Sequence, residues 1–192
     1  SFIQFGLVIL LFLTFPVWRS FQKDKAEPAI RMKSRQPIWG LPGIAPAMIG
    51  FFSYCAVETT AGLWGATYLV QTKGVSAGIA AGWVSMYYLG ITIGRFFNGI
   101  LTVRYDNPAL IRGGQFIIGL GAVLLLLLNQ TFSNLLGLIL IGLGCAPIFP
   151  SMLHETPVRF GAENSSRLMG IQMAVAYMGT TLVPPALGLL MS

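Results

Sequence analysis

A series of long apolar stretches separated by short polar segments constrains this chain more than any other feature. Six such stretches cover residues 1–18, 44–70, 78–103, 109–128, 134–154 and 168–191. A helix needs about 20 residues to cross the hydrocarbon core of a bilayer, and each stretch is near or above that length. The stretches lack the alternating pattern of barrel strands, and backbone in lipid must be hydrogen-bonded internally. The sequence therefore predicts an all-α, polytopic membrane protein with six transmembrane helices.

Composition and charge support a membrane location. Charged residues make up 9% of the chain, whereas a soluble globular domain carries about 25%. Basic residues collect in alternate loops: Arg19, Lys23, Lys25, Arg31, Lys33 and Arg35 in the first, Arg104 and Arg112 beside the third, and Arg159 and Arg167 in the fifth. The positive-inside rule places these loops in the cytoplasm and both chain ends outside. The net charge of +6 is therefore a topology signal, and no nucleic-acid partner is expected.

Glu58 is a lone carboxylate near the middle of the stretch 44–70. An ionisable group at that depth costs about 2.5–3.5 kcal/mol on insertion scales, so its presence indicates a function. Tyr54 and Glu58 share a helical face with a groove of small residues, and Trp64 lies near its edge. This face could hold a polar ligand. In the alternative interpretation, Glu58 only pairs with a Tyr or Gln on another helix and locks the bundle.

Two later stretches carry prolines and polar groups that lipid would penalise. Pro147 and Pro150 each remove a backbone donor, so the helix should kink or open and free carbonyls could face a cavity. A passive kink that fits neighbouring helices is the open alternative. Gln172 and Thr180 belong to the most polar face of the last stretch. Together, the predicted substrate-binding residues are Tyr54, Glu58, Trp64, Gln172 and Thr180.

Other features predict packing and exclude several chemistries. Gly78, Gly82, Gly90 and Gly94 recur at four-residue intervals or multiples of them, a spacing that lets helix backbones approach closely. His154-Glu155 lacks the second histidine of a zinc helix. No nucleophile and base occur at a suitable spacing. We expect no catalytic residues, no metal site and no cofactor, and therefore no enzyme.

A motif at the end of the third stretch resembles a known family. Gly94-Arg95-Phe-Phe-Asn-Gly99-Ile-Leu-Thr-Val-Arg104 resembles the signature between helices eight and nine of the major facilitator superfamily, with Val103 in place of its Asp and Asp106 in place of its Gly. The segments 54–64 and 142–150 look like the fucose permease-like sugar permease branch. The resemblance implies that the six spans are helices six to eleven of a twelve-helix transporter.

On this resemblance, residues 1–18 are the last helix of the first half, 19–43 a basic cytoplasmic inter-half loop, and 44–192 a five-helix portion of the second half. The first half and helix twelve would then be missing, unless the piece self-associates. Arg95, Gly99, Arg104, Pro147 and Pro150 would act in gating or structure. Arg95 and Arg104 in particular would latch helix ends at the cytoplasmic gate.

The expected function is part of a secondary active transporter in the plasma or bacterial inner membrane. It would move a small polar solute, with a sugar as the expected class, by alternating access with proton coupling. Its partners would be the lipid bilayer, the small-molecule substrate and protons. Two alternatives stay open: a drug or metabolite exporter of the same fold, and a membrane receptor that binds ligand without transporting it.

Overall fold

A computed structural model describes residues 38–128 and 130–191, which are helical apart from short connections. A 3₁₀ turn at Ile38–Gly40 precedes five α-helices. They are α1 (Ile44–Lys73), α2 (Ala77–Leu101), α3 (Asn107–Leu127), α4 (Thr131–Phe160) and α5 (Ala162–Met191). The all-α prediction is confirmed for this part of the chain. The predicted first span, residues 1–18, and the predicted loop 19–43 up to residue 37 lie outside the described residues.

The five helices follow the predicted stretches. The largest differences are about two turns, at the end of α4 and at the start of α5. Helices α2, α3 and α4 are long and apolar enough to cross a membrane. Helices α1 and α5 have 30 residues each, about 45 Å at 1.5 Å per residue, which exceeds the hydrocarbon thickness of about 30 Å. Their polar groups lower their mean hydropathy, so composition alone does not identify them as spans. Six spans therefore stay a prediction, and three apolar helices are shown.

Helix α4 is the centre of the described bundle. It contacts each of the other four helices, and its longest interface is with α3. Half of the most apolar segment of α4 is buried inside the bundle, whereas 17% of the corresponding segment of α3 is buried. A Cβ built on Gly121 would lie 2.7 Å from the Gly137 carbonyl oxygen, and one built on Gly137 would lie 2.8 Å from that of Gly121. Glycine at both positions therefore lets α3 and α4 touch backbone to backbone, and Gly114 and Gly144 make a second contact of the same kind.

The predicted glycine stripe packs along only half of its length. A Cβ on Gly90 would lie 2.8 Å from the carbonyl oxygen of Ile139 in α4, and Gly94 is similarly close to that helix. The first two members of the stripe have no neighbouring atom within 4 Å of a built Cβ: Gly78 and Gly82. Helix α2 thus approaches α4 closely through the glycines of its second half, whereas Gly78 and Gly82 make no such contact.

Contacts at the helix ends define two ends of the bundle. Asn107, at the start of α3, donates from Nδ2 to Glu155 Oε2 near the end of α4, at 3.2 Å. At the other end, Lys73 Nζ lies 3.4 Å from the carbonyl oxygens of Leu126 and Leu128, where α3 finishes. Asp106 and the α4–α5 junction therefore belong to one end, which the charge bias predicts to be cytoplasmic.

The α4–α5 junction is a single residue, Gly161. Its φ is +85°, a conformation that side chains with a Cβ rarely adopt. A Cβ there would also lie 2.5 Å from Glu163 Oε1. Glycine therefore permits the abrupt reversal that brings α5 back along α4 and α1.

Candidate functional site

Glu58 lies at the centre of α1, 15 residues before its end at Lys73. Its Oε1 is 3.2 Å from Nη2 of Arg95 on α2, which makes an ion pair between neighbouring helices. The Glu58 side chain is 23% exposed and that of Arg95 is 53% exposed. The pair is therefore reachable from outside the protein, within a part of α1 that would lie deep in the bilayer.

A tyrosine fixes the backbone beside this pair. Tyr87 is fully buried, and its hydroxyl donates to the main-chain carbonyl of Glu58 at 2.8 Å. The adjacent Tyr88 packs edge-on against Tyr87, with 5.1 Å between ring centroids, and its hydroxyl contacts Gly62. Because residue 62 has no side chain, Tyr88 can approach α1 within one turn of Glu58. The predicted small-residue groove is thus covered by tyrosines of α2 at this point.

Tyr54, one turn before Glu58, connects α1 to α4. It is 7% exposed, and its hydroxyl donates to the Cys145 carbonyl at 2.8 Å. Its ring also lies 6.2 Å from that of Phe149. The phenol therefore has a protein partner already, and its placement fixes the distance between α1 and the proline-bearing part of α4.

Helix α4 is continuous through its prolines. The helix continues from Thr131 to Phe160 through Pro147, Pro150 and a third proline, Pro157. Pro147 has no N–H to offer the carbonyl of residue 143, and that oxygen faces α2, at 3.1 Å from a Cβ built on Gly94. The predicted freed carbonyl is thus present, packed against a glycine. The helix does not open there, and a kink at Pro147 or Pro150 stays a prediction.

The other predicted substrate-binding residues connect helices or bond within one. Trp64 Nε1 donates to the Pro184 carbonyl at 2.9 Å, joining α1 to α5. Gln172 is 1% exposed and accepts a bond from the Thr156 hydroxyl at 2.9 Å, joining α5 to α4. Thr180 donates within its own helix, to the Tyr177 carbonyl. Of the predicted set, only Glu58 carries a charge, and its side chain is partly exposed.

Three of the predicted gating residues lie in the second half of α2 and the turn after it, whereas Pro147 and Pro150 lie in α4. Arg95 is paired with Glu58, whereas Arg104 is exposed in the turn after α2. Asn98 is 5% exposed, and its Oδ1 has no partner within the described residues. Gly99 is exposed and has open space where a Cβ would be. The motif thus contributes a buried packing edge and an accessible charge, and its gating role stays a prediction.

Sequence reasoning named both Glu58 and Arg95 but did not bring them together. Helices α1 and α2 run antiparallel about the connection at residues 74–76. Glu58 precedes the end of α1 by 15 residues and Arg95 follows the start of α2 by 18, which is about 22 and 27 Å at 1.5 Å per residue. Similar depth, to within about one helical turn, and opposite charge were the available signal, since intramembrane charges usually pair.

The chemistry available at this site is the exchange of hydrogen bonds and a proton. A carboxylate accepts and a guanidinium donates, so together they can satisfy a ligand hydroxyl, which does both. Within residues 38–128 and 130–191, no group of three or more His, Cys, Asp and Glu side chains could hold a metal ion.

Comparison with known proteins identifies the family. The sequence profile of the Major Facilitator Superfamily matches residues 1–192. No curated protein and no solved structure matches the chain. The family match agrees with the helical bundle and the apolar helices described above. The chain belongs to the major facilitator superfamily, whose members are membrane transporters.

Proposed function

We propose that the chain is part of a secondary active transporter that moves a small polar solute, with a sugar as the expected class, by alternating access with proton coupling. The observation that carries the proposal is the accessible ion pair between Glu58 and Arg95, 3.2 Å apart. Charged side chains within membrane spans are costly and typically line substrate or ion pathways. Family membership supports a transporter, and the ion pair supports a polar site near the middle of α1.

The exposure of the pair suits a reversible role. A partly exposed ion pair is worth on the order of 0.2–1 kcal/mol, so a ligand that replaces both of its hydrogen bonds can separate it at little cost. Protonation of Glu58 would remove the attraction to Arg95 as well. Solute and proton would then act on the same contact between α1 and α2.

We assign the helices on the same basis. Helices α1 to α5 would be helices seven to eleven of the family fold, residues 1–18 helix six, and residues 19–43 the inter-half loop. The first half and helix twelve would complete the pathway, and self-association would be the substitute in their absence. The basic loops would face the cytoplasm, in a plasma membrane or bacterial inner membrane.

Transport by the purified full-length transporter, with the first half and helix twelve present, tests this proposal in proteoliposomes. A panel of radiolabelled monosaccharides and polyols is supplied with an inward proton gradient, and the same panel is supplied after the gradient is collapsed. We expect saturable uptake of at least one sugar, with accumulation lost when the gradient is removed. Efflux without uptake would identify an exporter, and binding without flux would identify a receptor. Either result would contradict the proposal.

Matched variants connect the result to the site. Glu58→Gln should abolish gradient-driven accumulation, whereas Glu163→Gln, which changes an exposed carboxylate in the first turn of α5, should transport like wild type. Equal accumulation in the two variants would show that Glu58 is not the proton-coupled group.

A further inference from the structure

A second polar region lies away from the ion pair, at the end of the bundle where α1 and α3 begin and α4 finishes. It is a cavity of about 300 Å³. All of α1, α3, α4 and α5 contribute to its wall, and neither Glu58 nor Arg95 does. Its polar lining includes Arg112, Glu155, Arg159 and Gln172. The cavity is therefore separate from the ion pair, and Gln172, one of the predicted substrate-binding residues, belongs to the cavity.

Two arginines from different helices converge on this cavity without carboxylate partners. Arg112 comes from α3 and Arg159 from α4, and both line the cavity while remaining exposed. Within the described residues, neither makes an ion pair or a side-chain hydrogen bond. Arg159 lies four residues after Glu155, a spacing that favours a pair. The carboxylate instead accepts from Asn107 at 3.2 Å, which leaves the guanidinium available.

The remaining wall combines an apolar surface with buried amide chemistry. Phe51, Ile111 and Met152 supply the apolar part. Gln172 is 1% exposed, and its bond to Thr156 uses Oε1 alone, so its two N–H donors are not used by that bond. A ligand here would meet two guanidinium groups, amide donors and the Glu155 carboxylate, which Asn107 engages, on one side, and apolar side chains on the other.

The ligand that fits these groups contains a phosphate. The planar fork of a guanidinium matches phosphate oxygens in a bidentate arrangement. Basic pockets between transmembrane helices on the cytoplasmic side bind anionic lipid headgroups, and the charge bias assigns this end to the cytoplasm. We infer that this cavity is a phosphate-binding site in which Arg112 and Arg159 hold the anion. An anionic phospholipid and a soluble phosphate ester present the same phosphate group. Only the phospholipid also has acyl chains that could contact the apolar wall.

Binding of a short-chain phosphatidic acid to the purified protein in detergent tests this inference. The matched probe is the diacylglycerol with the same chains, which lacks only the phosphate. Native mass spectrometry and a titration followed by tryptophan fluorescence report the bound lipid. We expect saturable binding of phosphatidic acid and none of the diacylglycerol. Equal retention of the two probes would overturn the inference, since the acyl chains would then be responsible.

Variants identify the arginines. Replacing Arg112 and Arg159 together by Gln should weaken phosphatidic acid binding about tenfold or more, because both charge-assisted hydrogen-bond donors to the phosphate are lost. The control is the double replacement of Arg104 and Arg167, exposed basic residues near the same end that do not line the cavity, and it should stay within about twofold. An equal loss in the control would show unspecific attraction and overturn the inference.

A soluble probe distinguishes the two sources of phosphate. Glycerol 3-phosphate carries the same phosphate without acyl chains. If it displaces phosphatidic acid at millimolar concentration, the site accepts a soluble ester; if it does not, the apolar wall is needed and the ligand is a lipid. Both results support a phosphate site, and they differ only in its source. The size-exclusion profile and thermal unfolding of each variant should match wild type, so that a loss of binding is not a loss of fold.

Discussion

At the scale of residues, the account depends on one contact between two charged side chains. Glu58 and Arg95 lie on adjacent helices, and neither would be stable in lipid without compensation. Their charged atoms are 3.2 Å apart. Removing one side chain therefore leaves the other without its partner and changes how that remaining charge is solvated. The sequence indicated a functional Glu58 and offered a Tyr or Gln as its structural partner. The structure provides an arginine, which combines pairing with access.

A double-mutant cycle should measure this contact. Glu58→Gln and Arg95→Gln are made singly and together, and the free energy of unfolding is obtained by denaturant titration in detergent. We expect the double variant to lose less stability than the sum of the losses in the two single variants. The difference, which is the coupling free energy, should be about 0.5–1 kcal/mol for a half-exposed pair. Arg104→Gln combined with Glu58→Gln is the control and should be additive. A coupling of zero for Glu58 and Arg95 would contradict the pairing.

At the scale of helices, apolar stretches predicted five elements well because lipid requires complete backbone hydrogen bonding. The ends were less predictable: α4 continues to Phe160, beyond the apolar stretch that ends at residue 154. Its last turns pack polar residues against α1, α3 and α5, which hydropathy does not report. The contacts of Tyr54 and Trp64 were unpredictable for a related reason. Both donate to backbone carbonyls, and the position of a carbonyl depends on helix rotation.

Glycines in α2 provide a prediction at this scale. In Gly90→Ala, the new Cβ would lie 2.8 Å from the Ile139 carbonyl oxygen, so α2 and α4 must separate, at a cost of about 1–3 kcal/mol for overpacking. Gly82→Ala is the matched control on the same helix, with open space around the added methyl, and it should be neutral or stabilising by up to about 1 kcal/mol. Thermal unfolding of the two variants in detergent measures the difference. Equal stabilities would show that α2 and α4 do not pack through this glycine.

At the scale of the whole molecule, orientation follows from the distribution of basic residues. The helix-end contacts place Asp106 and Ala162 at one end of the bundle and Ser76 at the other, and all three are exposed. Single cysteines at these positions should therefore report the orientation in sealed cells. The native Cys55 and Cys145 are buried and should give little background.

The labelling pattern is predicted by the positive-inside rule. An impermeant maleimide added outside should modify a cysteine at Ser76 and should modify those at Asp106 and Ala162 only after the membrane is opened. A cysteine at Lys33, in the predicted inter-half loop, should behave like that at Asp106. Modification at Asp106 in sealed cells would reverse the orientation assigned from the charge bias.

The central claim is that Glu58 lies in the transport pathway, and solute binding and accumulation by Glu58→Gln and Glu58→Leu test it most directly. The Gln variant should bind the transported solute and fail to accumulate it if Glu58 carries the proton. The Leu variant should lose both binding and accumulation because no acceptor remains, and its size-exclusion profile must match wild type because Arg95 loses its partner. Wild-type binding and accumulation in Glu58→Leu would contradict the claim.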